Sequence, residues 1–402
     1  MAAPSTTPEL LHHAAGSAYF STPDGKAVFL EGNHIWTNNI SFSDTGQFDF
    51  SGYLSLLQNE GANLIRYWNW VDANGALIEP FQKTELGKWD LTKFNQGYFD
   101  HIAQDVDAAA AKGMYVSIMA FFDYDPQQRY GWSGSVWNGA NNVNGTTTSN
   151  TAIEQSDPAA LPLQQAYLAK LLDTAGQKAN VLWEIANEPQ NAQATVNWEN
   201  TLVDFMHQYQ SDHGLLAQPV GVTSAFPEGD EPAINPMISA TNADWISPNG
   251  WQDYQSNPPD ATGERVQIID TDHTFGIGGD ANWVWQQFTR GHGGVNIMDD
   301  MKGTGLPGTF DLGGDHEAGE AQQRLALKEI SDVLKLVDVT TMKPKGALSS
   351  TGYALADPSQ GAFVVLAPSG GDITVDLSAA SGLPCWPGGL TSRRAGCPRP
   401  RA

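Results

Sequence analysis

The chain has 402 residues, 41% of them hydrophobic, and a formal net charge of −24. That is enough chain for a large core, and no apolar run approaches the ~20 residues that span a bilayer. So negative a protein repels nucleic acid and anionic membranes, and it disfavours polyanionic substrates.

Residues 1–17 read as a flexible N-terminus: Met1 to Ala15 lacks the basic stretch and apolar run of an intact signal peptide. From residue 18 to 342, apolar runs alternate with amphipathic ones. Strands are expected at Ala27–His34, Leu64–Trp70, Tyr115–Phe122, Val181–Asn187, Pro219–Thr223, Trp245–Asn249, Val266–Asp270 and Gly294–Met298. Helices are expected near Tyr53–Gly61, over Tyr98–Lys112, Leu163–Leu172 and Val196–Gln210, from about Asp280, and over Glu320–Leu336. Asp123–Pro158 reads as a long loop, and Trp132–Asn150 within it as a mobile wall over the mouth.

Eight strands separated by helices predict an α/β fold, a (β/α)8 TIM barrel. Polar and aromatic residues end most of the strands, and in a barrel those ends converge on one mouth. After Lys343 the pattern changes to short strands at Ser349–Ala356, Gly361–Leu366 and Asp372–Leu377, a small antiparallel β module over 343–380. Residues 381–402 form an atypical tail. It holds both cysteines, Cys385 and Cys397, and four of the nine arginines, so the fold itself needs no disulfide.

Asn180-Val-Leu-Trp-Glu-Ile-Ala-Asn-Glu-Pro-Gln190 is the most informative stretch. An apolar run ends in Asn187-Glu188-Pro189, which resembles the acid/base segment of retaining glycoside hydrolases built on (β/α)8 barrels. Tyr19–Lys26 with Gly32-Asn-His-Ile-Trp36, and Trp183–Glu188, are similar to the apiosidase-like and cellulase-like branches of that clan. Ser349–Leu377 is similar to the collagen-binding-like β module that often follows such barrels. The resemblance covers about residues 18–380. It implies a secreted or periplasmic enzyme that hydrolyses polysaccharides or oligosaccharides with retention.

Retention needs a protonated acid and an ionised carboxylate about 5–5.5 Å apart. Glu188 is the acid/base candidate. Period-two alternation puts Glu184, Ala186 and Glu188 on one side and turns Asn187 away, unless the chain bends at the proline. The resemblance places the nucleophile at Ile268-Ile-Asp-Thr-Asp-His273, where Thr271-Asp272 stands in place of the usual Thr-Glu or Gly-Glu. Asp272 aligns with that pair, and Asp270 fits strand length equally well. The resemblance also gives Arg66 the role of the arginine beneath the nucleophile, and Asn187 that of the amide on the sugar 2-hydroxyl. His34, Asn249 and His273 are further candidates to line the pocket. Trp36, Trp68, Trp70 and Trp251 are candidate sugar platforms, because an indole offers a flat apolar face.

Three other readings compete. The shortened nucleophile leaves room for a catalytically weak barrel that binds carbohydrate. A metal-dependent barrel hydrolase would use Asp270, Asp272 and His273, but the His-x-His usual on strand one is missing. Gly276-Ile-Gly-Gly279 could cradle a phosphate, but no lysine lies near it and Asp280 would repel an anion. No cofactor motif is present, and the expected partner is a carbohydrate substrate, with the oligomeric state left open.

Overall fold

The computed structural model describes residues 7–35, 48–68, 71–72, 77–122, 131–190, 192–224, 234–250, 253–303, 306–308, 310–312 and 317–380. Eight parallel strands close a barrel in chain order: β1 (Leu30–Ile35), β2 (Leu64–Tyr67), β3 (Tyr115–Phe121), β4 (Val181–Ala186), β5 (Val220–Thr223), β6 (Trp245–Ser247), β7 (Val266–Asp270) and β8 (Gly294–Asp299). Around them run α1 (Phe50–Glu60), α2 (Gln96–Ala111), α3 (Leu161–Ala175), α4 (Gln193–Asp212), α5 (Asn235–Ser239), α6 (Ala281–Thr289) and α7 (Glu317–Leu334). Every residue of β1 through β6 is buried. Both faces of a parallel sheet are covered, so these strands read as apolar runs rather than as alternating ones.

Local chemistry sets the helix ends. Asp49 caps α1 by accepting from the Gly52 amide at 2.9 Å, and Gly61 ends it at φ 91°, the left-handed turn that glycine allows. Asp280 caps α6 by accepting from the Trp283 amide at 2.9 Å. The N-terminus after Gly276–Gly279 is thus already filled by a carboxylate, which removes the phosphate reading.

The floor of the barrel is closed by residues that the sequence reading leaves free. His12–His13, Phe20–Ser21 and Ala27–Val28 form a three-stranded antiparallel sheet. Leu11 and Phe20 bury against Leu30, Leu64, Tyr115, Leu182, Trp245, Val266 and Ile268, which lie at the starts of the barrel strands. The Tyr115 hydroxyl also donates to the Glu9 carbonyl at 3.0 Å. Residues 9–13 are therefore packed, and Ala27–Val28 belongs to the floor sheet rather than to β1.

The C-terminal residues add a second three-stranded sheet of Lys343–Pro344, Ala354–Asp357 and Ala362–Val365. Leu355 is fully buried in one cluster with Trp283 and Phe288 of α6, and the Arg290 guanidinium lies 4.5 Å over the Tyr353 ring. Arg290 and Gly291 precede β8, so this sheet packs toward the floor and away from the mouth. The expected third strand, Asp372–Leu377, contributes a single bridge from Val375 to Ser349.

Two antiparallel hairpins between β2 and α2 have no counterpart in the sequence reading; one pairs Phe81–Lys83 with Trp89–Phe94. The Trp132–Asn150 segment is not the loose wall expected. Asn142, 3% exposed, donates to Thr146 Oγ1 at 2.6 Å and to the Val136 and Asn138 carbonyls, and Trp137 joins the main core. Side-chain amides that satisfy buried carbonyls hold such a loop in one shape.

Candidate active site

Arg66 of β2 points into the barrel mouth and organises it. Its Nε and Nη2 donate to both oxygens of Glu184 at 3.0 and 2.6 Å. Nη1 donates to Asp272 Oδ2 at 2.7 Å and lies 3.6 Å from Asp270 Oδ2. Nη2 also meets Asn187 Oδ1 and, at 3.2 Å, His273 Nε2. A planar guanidinium can face this many acceptors at once because its five N–H groups are fixed in a fork. The ends of β2, β4 and β7 are therefore joined at one cation.

Asp270, the last residue of β7, lies deeper than Asp272. It is 2% exposed and accepts from His34 Nε2 at 3.1 Å, the Asp272 amide at 2.8 Å and Asn296 Nδ2 at 2.8 Å. Burial pushes its carboxyl up, but His34 and Arg66 outweigh that and hold it well below the usual carboxylate range. Asp272 is 7% exposed. Burial pushes the Glu184 carboxyl up against the opposing pull of Arg66.

Hydrogen bonding fixes both histidines. The Trp68 indole donates to His34 Nδ1 at 3.2 Å, so Nε2 carries the proton that goes to Asp270. Arg66 can only donate to His273 Nε2, so Nδ1–H donates to Ser247 Oγ at 2.8 Å. Burial and the neighbouring guanidinium bring His273 down to about 4, and the ring stays neutral. Asn296 reaches Asp270 because its neighbour on β1 is glycine. A Cβ on Gly32 would sit 2.4 Å from Asn296 Oδ1.

Glu188 behaves differently from these buried groups. β4 ends at Ala186, and Asn187 donates its amide to the Phe121 carbonyl at 3.2 Å. Glu188 then turns at φ 43°, one of two non-glycine residues with positive φ among the described residues. The bend falls one residue before the proline. Asn187 thus turns toward Arg66 while Glu188 is exposed, with Oε2 3.4 Å from Asn187 Nδ2. Strained φ of this kind clusters at functional sites.

Of the expected site residues, the mouth gathers Arg66, Asn187, Glu188, Asp270, Asp272, His34 and His273. Trp68 is 1% exposed, with its N–H on His34 and Phe122 against its ring. It braces His34 and offers no open face to a sugar. Asn249 is 2% exposed, and its backbone pairs with the Asn235 side chain, so it too is a brace. Trp36, Trp70 and Trp251 lie outside the described residues.

Glu184 and Asn296 were missed as site residues. Each is a polar residue inside an otherwise apolar strand, and that was the available signal. The metal-dependent alternative finds no ligand set. His273 has both nitrogens engaged, Asp270 is held by His34, Asn296 and the Asp272 amide, and the cation these groups face is Arg66. Among the described residues, no three His, Cys, Asp or Glu side chains are grouped to hold an ion.

The sequence matches the profile of the apiosidase-like catalytic domain over residues 14–153. A search of curated proteins finds no match. Among solved structures, a glycoside hydrolase family 5 protein from Bacteroides vulgatus superposes with a TM-score of 0.56 at 13% identity, over 87% of this chain and 79% of its own. A further glycoside hydrolase gives 0.54 at 14% identity, over 88% and 81%. An endo-1,4-beta-mannanase from Rhizomucor miehei gives 0.51 at 14% identity, over 72% and 90%. The (β/α)8 barrel fold is shared with these solved structures, and the apiosidase-like match supports a glycosidase.

Proposed function

We propose that the chain is a retaining glycoside hydrolase acting on polysaccharides or their fragments, with Glu188 as acid/base and Asp272 as nucleophile. The observation that carries this reading is the Arg66 hub. One guanidinium holds Asp272 at the end of β7 and Asn187, the neighbour of Glu188, at the end of β4. Asp270 is committed to donors deep in the barrel, whereas Asp272 is the more exposed of the two and is oriented by the same guanidinium.

In this mechanism Glu188 protonates the leaving oxygen while an Asp272 oxygen attacks the anomeric carbon, breaking the glycosidic bond and forming a glycosyl ester. Glu188 then takes a proton from water, which attacks the same carbon and releases Asp272. Asn187 contacts the 2-hydroxyl.

The apiosidase-like match and the mannanase neighbour nominate aryl apiofuranosides and mannopyranosides for the first substrate panel. On the sugar turned over best, Glu188→Ala lowers kcat by about 10²–10⁴-fold, and azide restores turnover as a glycosyl azide of retained configuration. Asp272→Ala with azide gives the inverted azide. Unchanged turnover in Glu188→Ala would sink the mechanism, and inverted azide from Asp270→Ala instead would move the nucleophile to Asp270. Secretion belongs to the same reading, and fractionation of the producing cells tests it.

A further inference from the structure

Glu188 carries its side chain on a backbone that an L-residue rarely adopts, so something must hold that turn. On its N-terminal side the clamp is clear, with the Asn187 amide on the Phe121 carbonyl and the Asn187 side chain on Arg66. On the C-terminal side Pro189 has no N–H, so the first amide available to fix the turn belongs to Gln190. That amide donates to Glu154 Oε1 at 3.1 Å.

Glu154 comes from the segment between β3 and α3 and is 6% exposed. It is anchored from behind. Gln164 of α3 donates to the Ile153 carbonyl at 3.2 Å and accepts from the Trp198 indole of α4 at 3.0 Å. Burying a carboxyl is costly unless it is hydrogen-bonded, and burial pushes Glu154 up in pKa while the Gln190 amide draws it back. A surface turn does not need so costly an acceptor for its own folding.

We infer that Glu154 is a positioning residue for the acid/base step. It locks the Glu188 turn through the Gln190 amide, so that the carboxyl is presented to the leaving oxygen. This rests on the reading of Glu188 as the acid.

The test compares kcat/KM on dinitrophenyl and phenyl glycosides of the best-accepted sugar. This ratio reports the step in which the leaving group departs. Dinitrophenolate leaves without protonation, whereas phenolate needs the acid. Glu154→Leu, which removes the acceptor, is expected to lose tenfold or more on the phenyl glycoside and less than about threefold on the dinitrophenyl glycoside. Glu154→Gln keeps the acceptor and retains activity on both. Gln190→Pro deletes the donor on an exposed residue and is expected to reproduce the same selectivity without touching the core.

Equal losses on both glycosides in Glu154→Leu and Gln190→Pro, or no loss, would overturn the inference. Glu188→Ala is run beside them. If it shows no leaving-group dependence, the acid assignment itself has failed. If it does and the Glu154 and Gln190 variants do not, only the positioning role has failed.

Discussion

Arg66 faces Glu184, Asp270 and Asp272 at once, so the charge balance of the mouth turns on a single side chain. Removing one partner of a buried ion pair leaves uncompensated charge, at about 3–5 kcal/mol. Arg66→Met is therefore expected to unfold earlier by about that amount in urea and to lose turnover. Arg66→Lys recovers charge but not the fork on Glu184, and is expected to regain part of the stability and little of the activity. His273 is pulled down to about 4 by burial and Arg66. Between its unfolded pKa of about 6.5 and about 4, the unfolded chain binds a proton that the folded one does not. Stability therefore falls as pH drops through that window, and a His273→Gln variant, if folded, is expected to show a shallower loss of Tm there.

Neighbouring elements impose their own demands. Gly32 on β1 gives Asn296 of β8 the room to reach Asp270 of β7. Gly32→Ala overpacks that contact, and such changes cost about 1–3 kcal/mol. It is expected to lower both Tm and turnover, whereas an alanine at exposed Gly97 leaves turnover unchanged. Glu31, also on β1, points outward to Ser331 of α7, which donates to it at 2.7 Å. Burial raises its carboxyl to about 8, so the folded protein holds a proton that the unfolded chain releases from about pH 4.5 upward. Stability attached to Glu31 is thus lost as pH rises from about 4.5 through about 8. Glu31→Gln is expected to raise Tm at pH 8 and to change it little at pH 5; equal shifts at both values would contradict the assignment.

At the scale of the molecule, the barrel has a working mouth and a sealed floor. Leu11 is 2% exposed in that floor, and Leu→Ala at buried sites costs about 2–5 kcal/mol. Leu11→Ala is expected to lower the urea midpoint without altering KM, because the cluster it joins lies at the starts of the barrel strands.

The eight strands were legible because each is an apolar run of strand length between helical stretches. Asn187, Glu188 and the Asp270/Asp272 pair were legible as polar residues at strand ends. The floor was not, because a two-residue strand such as His12–His13 carries no periodicity. Trp68 was misread as a platform because its side chain fills space defined by His34 and Phe122, which are distant in sequence. The backbone turn at Glu188 was also hidden, since Pro189 signals a bend but not the residue that takes it.

The hub at Arg66 has a consequence for how this barrel can change. The ends of β4 and β7 are tied to each other through a side chain rooted in β2, not through the connecting loops. Mouth loops other than the segment that carries Glu154 can therefore be exchanged or lengthened without resetting the spacing of the two carboxylates. Grafting mouth loops from another sugar-cleaving barrel is thus a route to new substrate preference that leaves the bond-breaking apparatus in register.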